Sequence, residues 1–349
     1  MNPAERVSVT LLLGASLVLN AIALLPGVPF LQISGILAPG PYSILKVIEL
    51  LWESKLYPLV ALVVGFSVLF PPAKLAIAAW GAWARVDPSK RAKVLGVLGQ
   101  LGRWSLLDVF VCLLIVLVLS EQGLTGATIA YGLYCFTTAI IFSMIAGALL
   151  HAAAERAQAS RGDRPGDKAS EPGDAPSTSL LMEMGSPGAI AAGIIAVGLL
   201  AVAGSFWLIM FRVDQFGLWG NEWSLEKAIA HFFEHGMAPF GVVVAAFLVV
   251  APAAASGALL FTICAPLSEV ERRRWYRRAR SITEWAMLDV FAFGMLLYLV
   301  EQSNFAKLDL QFGAWAVFGA ALVFTVGHWW AVGRVRKTIG GAAPSTGTE

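Results

Sequence analysis

Eight apolar runs decide what this chain can fold into. They lie at about 8–26, 56–83, 104–120, 126–150, 188–210, 237–266, 284–300 and 313–333. A helix needs ~20 such residues to cross a hydrocarbon core of roughly 30 Å. In hydrocarbon every peptide N–H and C=O must bond within the protein, so a run standing alone there has to be helical. Of the 349 residues, 58% are hydrophobic and 14% charged. A soluble domain carries roughly 25% charged residues, so a water-soluble globule is excluded. The expected fold class is an all-α polytopic membrane protein with about eight transmembrane helices. The first run, "VSVTLLLGASLVLNAIALL", reads as a retained helix rather than a cleaved signal. The runs 56–83 and 237–266 are longer than a bilayer requires, and Pro71, Pro72 and Pro252 are the kink candidates within them.

Charge fixes an orientation. Nineteen Lys and Arg residues fall in alternate loops and at both ends, including "RRRWYRRAR" (272–280), against five on the opposite side: Lys46, Lys55, Arg212, Lys227 and Lys307. The positive-inside rule then puts the basic loops and both termini in the cytoplasm. "RRRWYRRAR" sits just before an apolar run, so it reads as a topology determinant against anionic headgroups, not as a nucleic-acid patch. Residues 151–186 are rich in Ala, Gly, Pro, Ser and mixed charge, and read as a flexible linker. The expected organisation is a first four-helix repeat at 1–150, the linker at 151–186, a second four-helix repeat at 187–336 and a disordered tail at 337–349.

The halves repeat at a constant offset of 181 residues: Phe30 and Phe211, Ser43 and Ser224, Lys46 and Lys227, Glu53 and Glu234, Pro58 and Pro239, Pro71 and Pro252. The series ends at "WSLLDVF" (104–110) and "WAMLDVF" (285–291). Apolar residues coincide by chance in any membrane protein; Ser, Lys, Glu, Asp and Pro at one offset do not. An even number of spans per half makes the repeats parallel, related by an axis along the membrane normal. Each half also carries an outer segment, expected to hold a strand ("PFLQISGIL", "MFRVDQFGLW") and an amphipathic helix opened by Ser43 or Ser224 as N-cap.

Chemistry-bearing motifs are few. "HFFEH" (231–235) has the histidine spacing of a zinc peptidase class, but the first half has "LLWES" there and keeps only the glutamate, so peptidase chemistry is rejected. Cys112, Cys135 and Cys264 lie in apolar runs with no CxxC spacing and read as small buried hydrophobes. No metal site, cofactor or enzymatic activity is expected. Lys74, Asp108 and Asp289 stand out, since a charge at a span's centre costs roughly 2.5–3.5 kcal/mol. Two readings of the aspartates stay open. Each either anchors a helix start through the dipole and orphan N–H groups, or belongs to a working polar site, with a Lys74–Asp108 contact at similar depth in the first half. Lys74 aligns with Ala255, so Asp289 needs another partner, such as Ser256 or water.

"LWESKLYPLVALVVGFSVLFPPAKL" (51–75), a basic loop, and "GRWSLLDVFVCLLIVLVL" (102–119) resemble the paraquat-inducible protein A family, and the second half resembles the same unit again. The resemblance implies an inner-membrane protein of a Gram-negative envelope. It also implies a periplasmic MCE-domain partner and a role in moving phospholipid between the membrane and an MCE tunnel, supporting envelope integrity. The polar positions it points to are Lys74, Asp108 and Asp289. Familiar members carry CxxC zinc ribbons before each half; here few residues precede the first helix and the linker has no cysteine, so no zinc is expected by that route. Two rival functions remain at this stage: a non-transporting scaffold for the MCE partner, and an ion-coupled small-molecule transporter.

Overall fold

The computed structural model describes residues 3–35, 39–83, 94, 102–120, 125–162, 178–215, 219–300 and 307–341. The chain divides into two compact units, one of Met1–Lys168 with Phe293–Glu301, the other of Ala169–Ala292 with Gln302–Glu349.

The first half runs α1 (Pro3–Ala23), β1 (Leu31–Gly35), β2 (Gly40–Tyr42), α2 (Ile44–Glu53) and α3 (Tyr57–Val63). A π-turn (Val64–Leu69) then leads into α4 (Phe70–Trp83). After a 3₁₀ turn (Arg103–Leu106) come α5 (Leu107–Ser120), β3 (Thr125–Ile129) and α6 (Tyr131–Gly162). The second half opens with a short α7 (Leu180–Met184), then repeats the order: α8 (Ser186–Trp207), β4 (Phe211–Gln215), β5 (Trp219–Trp223), α9 (Leu225–Glu234) and α10 (Ala238–Val244). A π-turn (Ala245–Val250) again precedes α11 (Ala251–Cys264). There follow α12 (Glu269–Thr283), α13 (Leu288–Val300), β6 (Lys307–Leu310), α14 (Phe312–Leu322), a π-turn (Val323–Gly327) and α15 (His328–Gly341). The offset of 181 carries the ends of α2, α3 and α4 onto those of α9, α10 and α11 residue for residue.

Six helices among the described residues are long and apolar enough to cross a membrane: Pro3–Ala23, Tyr57–Trp83, Tyr131–Ala154, Ser186–Trp207, Ala238–Cys264 and Phe312–Val335. The other two expected runs form shorter helices of 14 residues in α5 and 13 in α13. In the first half the run enters through the 3₁₀ turn; at ~2.0 Å per residue there and ~1.5 Å in α5 it still extends to about 29 Å. Residues 151–162, expected in the linker, instead prolong α6, and Leu180–Met184 form α7; residues 163–177 of the expected linker, and 342–349 of the expected tail, lie outside the described residues.

The outer segments hold more strand than expected. Each is a three-stranded antiparallel sheet, in the order β2-β1-β3 or β5-β4-β6. The third strand comes from residues assigned above to a helix or its approach, and pairs at Leu31–Ile129 and Ile33–Ala127 in the first half and at Phe211–Leu310 and Val213–Leu308 in the second. Ser43 and Ser224 cap α2 and α9, each accepting the amide three residues on at 3.2 Å. Both helices end on a left-handed residue at the same repeat position, Lys55 (φ 59°) in one and Gly236 (φ 74°) in the other; glycine takes that conformation without strain.

Small residues let the spanning helices approach. Val9, Leu13, Ser16, Asn20 and Ala23 form the buried stripe of α1. Val9 and Leu13 pack with Leu75, Ala78 and Ala82 of α4 and Ala146, Leu150 and Ala154 of α6, and the Ser16 hydroxyl donates to the Ala139 carbonyl at 2.7 Å. Among lipid tails close packing and such interhelical bonds replace the hydrophobic drive. At the second residue of α6 and of α14 a glycine touches the backbone entering the sheet. A Cβ on Gly132 would stand 2.5 Å from the Pro29 carbonyl oxygen, and one on Gly313 would stand 2.3 Å from that of Ile209. Because the neighbour is main chain, it cannot swing aside. Gly313→Ala is expected to destabilise the folded protein by roughly 1–3 kcal/mol, read as a lower thermal unfolding midpoint in detergent, whereas Gly319→Ala, with open space at its Cβ, should leave the midpoint unchanged.

Candidate functional site

Pro71 begins the site. It has no N–H to give the carbonyl four residues back, and its ring clashes with that carbonyl, which belongs to Ser67. The chain answers by widening into the π-turn Val64–Leu69, where the Phe70 amide bonds to the Gly65 carbonyl, five residues back. Thus the proline expected to kink this helix is accommodated by a π-turn, and Pro252 follows an equivalent turn in the second half. π-turns of this kind recur at functional positions. Here the turn buries Ser67 completely and brings its hydroxyl to Asp108 of α5, to whose Oδ2 it donates a hydrogen bond.

Asp108 therefore does not serve its own helix start. The preceding 3₁₀ turn already supplies the Trp104 carbonyl to the Leu107 amide, so the orphan-donor explanation falls away and the carboxylate instead binds across to another helix. The ring of Trp104 lies 6.3 Å from that of Phe66 and packs edge-on against Phe293 at 5.3 Å, walling this corner of the first unit with aromatic surface.

Lys74 lies seven residues, about two turns, beyond Ser67. It is 4% exposed, and its Nζ has no hydrogen-bond partner among the described residues. The ammonium rests against Gly102: a Cβ there would stand 2.8 Å from Nζ and 3.1 Å from Cε. The Lys74–Asp108 ion pair considered from the sequence does not form among the described residues; Asp108 takes Ser67, and Lys74 Nζ is left unpaired. A buried polar group without a partner keeps its whole desolvation cost, so packing does not account for a lysine at this position.

Asp289 differs. Its Oδ1 accepts the amide of the next residue, Val290, at 3.0 Å, which is the local, helix-anchoring arrangement. The repeat equivalents of Ser67 and Lys74 are Leu248 and Ala255, so the serine and the lysine have no counterparts at these positions in the second half. In the second half the carbonyl of Phe247, one residue before the Ser67 equivalent, takes a backbone donor, the Met287 amide at 3.1 Å, and Phe247 stacks on Trp285 at 5.8 Å. Sequence reasoning singled out Lys74 and Asp108 but missed Ser67. The signal was present: a lone serine four residues before a proline, absent like the lysine from the matching positions of the second half.

The motif "HFFEH" folds as the end of α9. His231 is buried and stacks on His235 with ring centroids 3.9 Å apart, while Trp223 meets it edge-on at 5.2 Å. His235 Nδ1 lies 2.9 Å from the His231 carbonyl. No group of three or more metal-ligating side chains gathers among the described residues. Burial, reinforced by His235 and opposed by Glu234, holds the His231 imidazole below its ordinary 6.5.

Duplicated helical units with small sheets, and one half keeping a buried polar set, define a multi-pass integral membrane protein with an internal repeat. The profile of the family described as "Paraquat-inducible protein A" matches residues 7–154 and 189–330; the chain belongs to this family. The intermembrane transport protein PqiA of Escherichia coli (strain K12) is 29% identical to it over 109 residues, which cover 30% of this chain and 26% of that protein. Its counterparts in Escherichia coli O6:H1 and Shigella flexneri match to the same extent, again over 26% of their length. No solved structure matches the chain.

Lys74→Met keeps the side chain's length and removes its charge. The folded protein is expected to be more stable, by up to roughly 2.5–3.5 kcal/mol, with a higher thermal midpoint in detergent; a lower midpoint would show that Nζ has a protein partner. The His231 shift has a sign as well. A histidine whose folded value is depressed stabilises the fold fully above the unfolded value of 6.5, and the contribution is lost as pH falls below it. Amide exchange in α9, corrected for intrinsic rates, should therefore quicken between about pH 7.5 and pH 5.5, around the ordinary histidine range, and His231→Phe should remove most of that change.

Proposed function

We propose that this protein passes phospholipid between the inner membrane and a periplasmic MCE-domain partner, and so supports the integrity of a Gram-negative envelope. The observation that carries the reading is the buried Lys74 ammonium, which has no hydrogen-bond partner among the described residues. A cation held in a spanning helix at that cost suits a passing anion, and the phosphate of a phospholipid supplies one together with tails that the surrounding apolar surface accepts. Ser67 and Asp108 then hold α5 against the π-turn beside it, and the carboxylate's remaining lone pairs give the headgroup's polar substituents an acceptor. The name of the Escherichia coli relative, an intermembrane transport protein, agrees with this role.

Lys74, Asp108 and Asp289 are the proposed polar positions. The first two line the working half; Asp289 anchors the start of α13. Each half acts as a repeat around the expected linker, with both termini and the basic loops in the cytoplasm, and the outer sheets with α2 and α9 form the docking face for the MCE partner. An alternative draws on the Ser67–Asp108 pair itself: a hydrogen-bonded carboxylate between spanning helices is the arrangement of a proton relay, which would make the protein an ion-coupled transporter.

Purification from native membranes followed by mass spectrometry of extracted lipid tests the proposal. Wild type should carry phospholipid through purification. Lys74→Met should lose most of it and fail to restore detergent resistance to cells lacking the protein, although it folds. Asp289→Asn should behave nearly as wild type. Full lipid occupancy and full resistance with both Lys74→Met and Asp108→Asn would refute the role given to the first half, and lipid-independent, proton-dependent flux in vesicles would favour the alternative.

A further inference from the structure

Within the second unit, α12 packs along α11 and leaves a basic face that no protein element covers among the described residues. Trp275 meets Phe261 edge-on at 4.9 Å. Ala279 joins the core of Ala258, Leu259 and Ile263, while Ile282 packs with Ala251 and Ala255. The partners recede as α12 advances, so the two helices run antiparallel. Arg272, Trp275, Tyr276, Ala279 and Ile282 follow helical spacing on the packed face; Arg273, Arg274, Arg277, Arg278 and Arg280 lie on the other and are exposed.

The acidic residues of this region are already engaged. Glu183 of α7 binds Arg272 through two nitrogens, at 2.9 and 3.1 Å. Glu269 binds Arg273, and Glu271 closes the capping box with Ser268. No acidic side chain pairs with Arg274, Arg277 or Arg278 among the described residues; Arg277 bonds only to the Arg273 carbonyl, at 3.3 Å. Arg278 lies over the ring of Trp275 at 5.0 Å, and on α15 Arg334 lies over Trp330 at 5.3 Å. Tyr276 ties the two helices, its hydroxyl donating to the Val332 carbonyl at 3.4 Å.

Length sets the depth of this face. The helix Ala238–Cys264 has 27 residues, about 40 Å at 1.5 Å per residue, or ~10 Å more than a hydrocarbon core. Trp275–Ala279 lie beside the last two turns of this helix, at one end of a span long enough to project beyond the hydrocarbon core. Arginine over tryptophan there offers a cation to phosphate and an apolar ring to the glycerol region.

We propose that the exposed face of α12, with Arg334 of α15, is a docking surface for anionic phospholipid headgroups of the surrounding leaflet. The surface shares no residue with the Lys74 site and does not rest on the transport reading. Electrostatic attachment at a membrane surface contributes about fivefold in affinity per basic residue, so three arginines supply roughly a hundredfold.

Native mass spectrometry of the full chain in neutral detergent, with Lys74→Met as the common background, tests the proposal. Dioctanoyl phosphatidylglycerol should bind, more weakly as salt rises, and dioctanoyl phosphatidylcholine should bind far less. Replacing Arg274, Arg277 and Arg278 together by Gln should weaken the phosphatidylglycerol complex by roughly a hundredfold, and replacing the same three by Lys should restore most of it. If the Gln variant does not fold, the Lys variant and the salt dependence decide. Equal binding of the two lipids, or a Gln variant that binds like its parent, overturns the proposal. So does glycerol phosphate binding as tightly as the lipid, which would mark a free-phosphate site, or a single-stranded RNA binding through these arginines while phosphatidylglycerol does not.

Discussion

Inside a bilayer a peptide carbonyl has no water to turn to, and a proline in a spanning helix takes a donor away. That single shortage shapes both halves of this molecule. At Pro71 and Pro252 the helix recovers by winding a π-turn, and the turn changes which side chains and carbonyls face the neighbouring helix. In the second half the Phe247 carbonyl takes the Met287 amide, a backbone bond that carries no chemistry. In the first half Ser67 reaches Asp108. One backbone device thus serves as a structural joint in one copy and presents a polar group in the other.

Divergence between the copies is coordinated. Ser67 and Lys74 sit two turns apart and are both replaced in the second half, by Leu248 and Ala255, while the acid is kept in both. The retained Asp289 turns to its neighbouring amide. The sheets, the serine-capped outer helices and the tight glycine contacts are shared, as parts that hold either copy together regardless of what its helices carry.

Much of this was legible in the residues. The offset of 181 predicted matched elements, and Ser43 and Ser224 do cap matched helices. The strand edges at Leu31 and Phe211 were visible from their extended patterns. Strands β3 and β6 were not, because each abuts an apolar helix and pairs with a strand about 95 residues earlier in the chain; nothing local marks such a partner. The extension of α6 to Gly162 was hidden by the polar composition of residues 151–162, since a helix beyond the bilayer has no need of apolar residues. Lys74 and Asp108 stood out as charges within apolar runs, but their partners were not readable. Spacing along two helices does not say which side chains meet across them, and the π-turn shifts the faces by a fraction of a turn.

The central proposal is that the buried Lys74 of the first copy, which has no hydrogen-bond partner among the described residues, takes a lipid phosphate as its partner. Cryo-electron microscopy of the protein in a phospholipid nanodisc measures this directly. The account predicts headgroup density within hydrogen-bonding reach of Lys74 Nζ, beside an intact Ser67–Asp108 contact, and none at Ala255. A map in which Lys74 Nζ is bound to a carboxylate or carbonyl of the protein, with no lipid beside it, would contradict the claim.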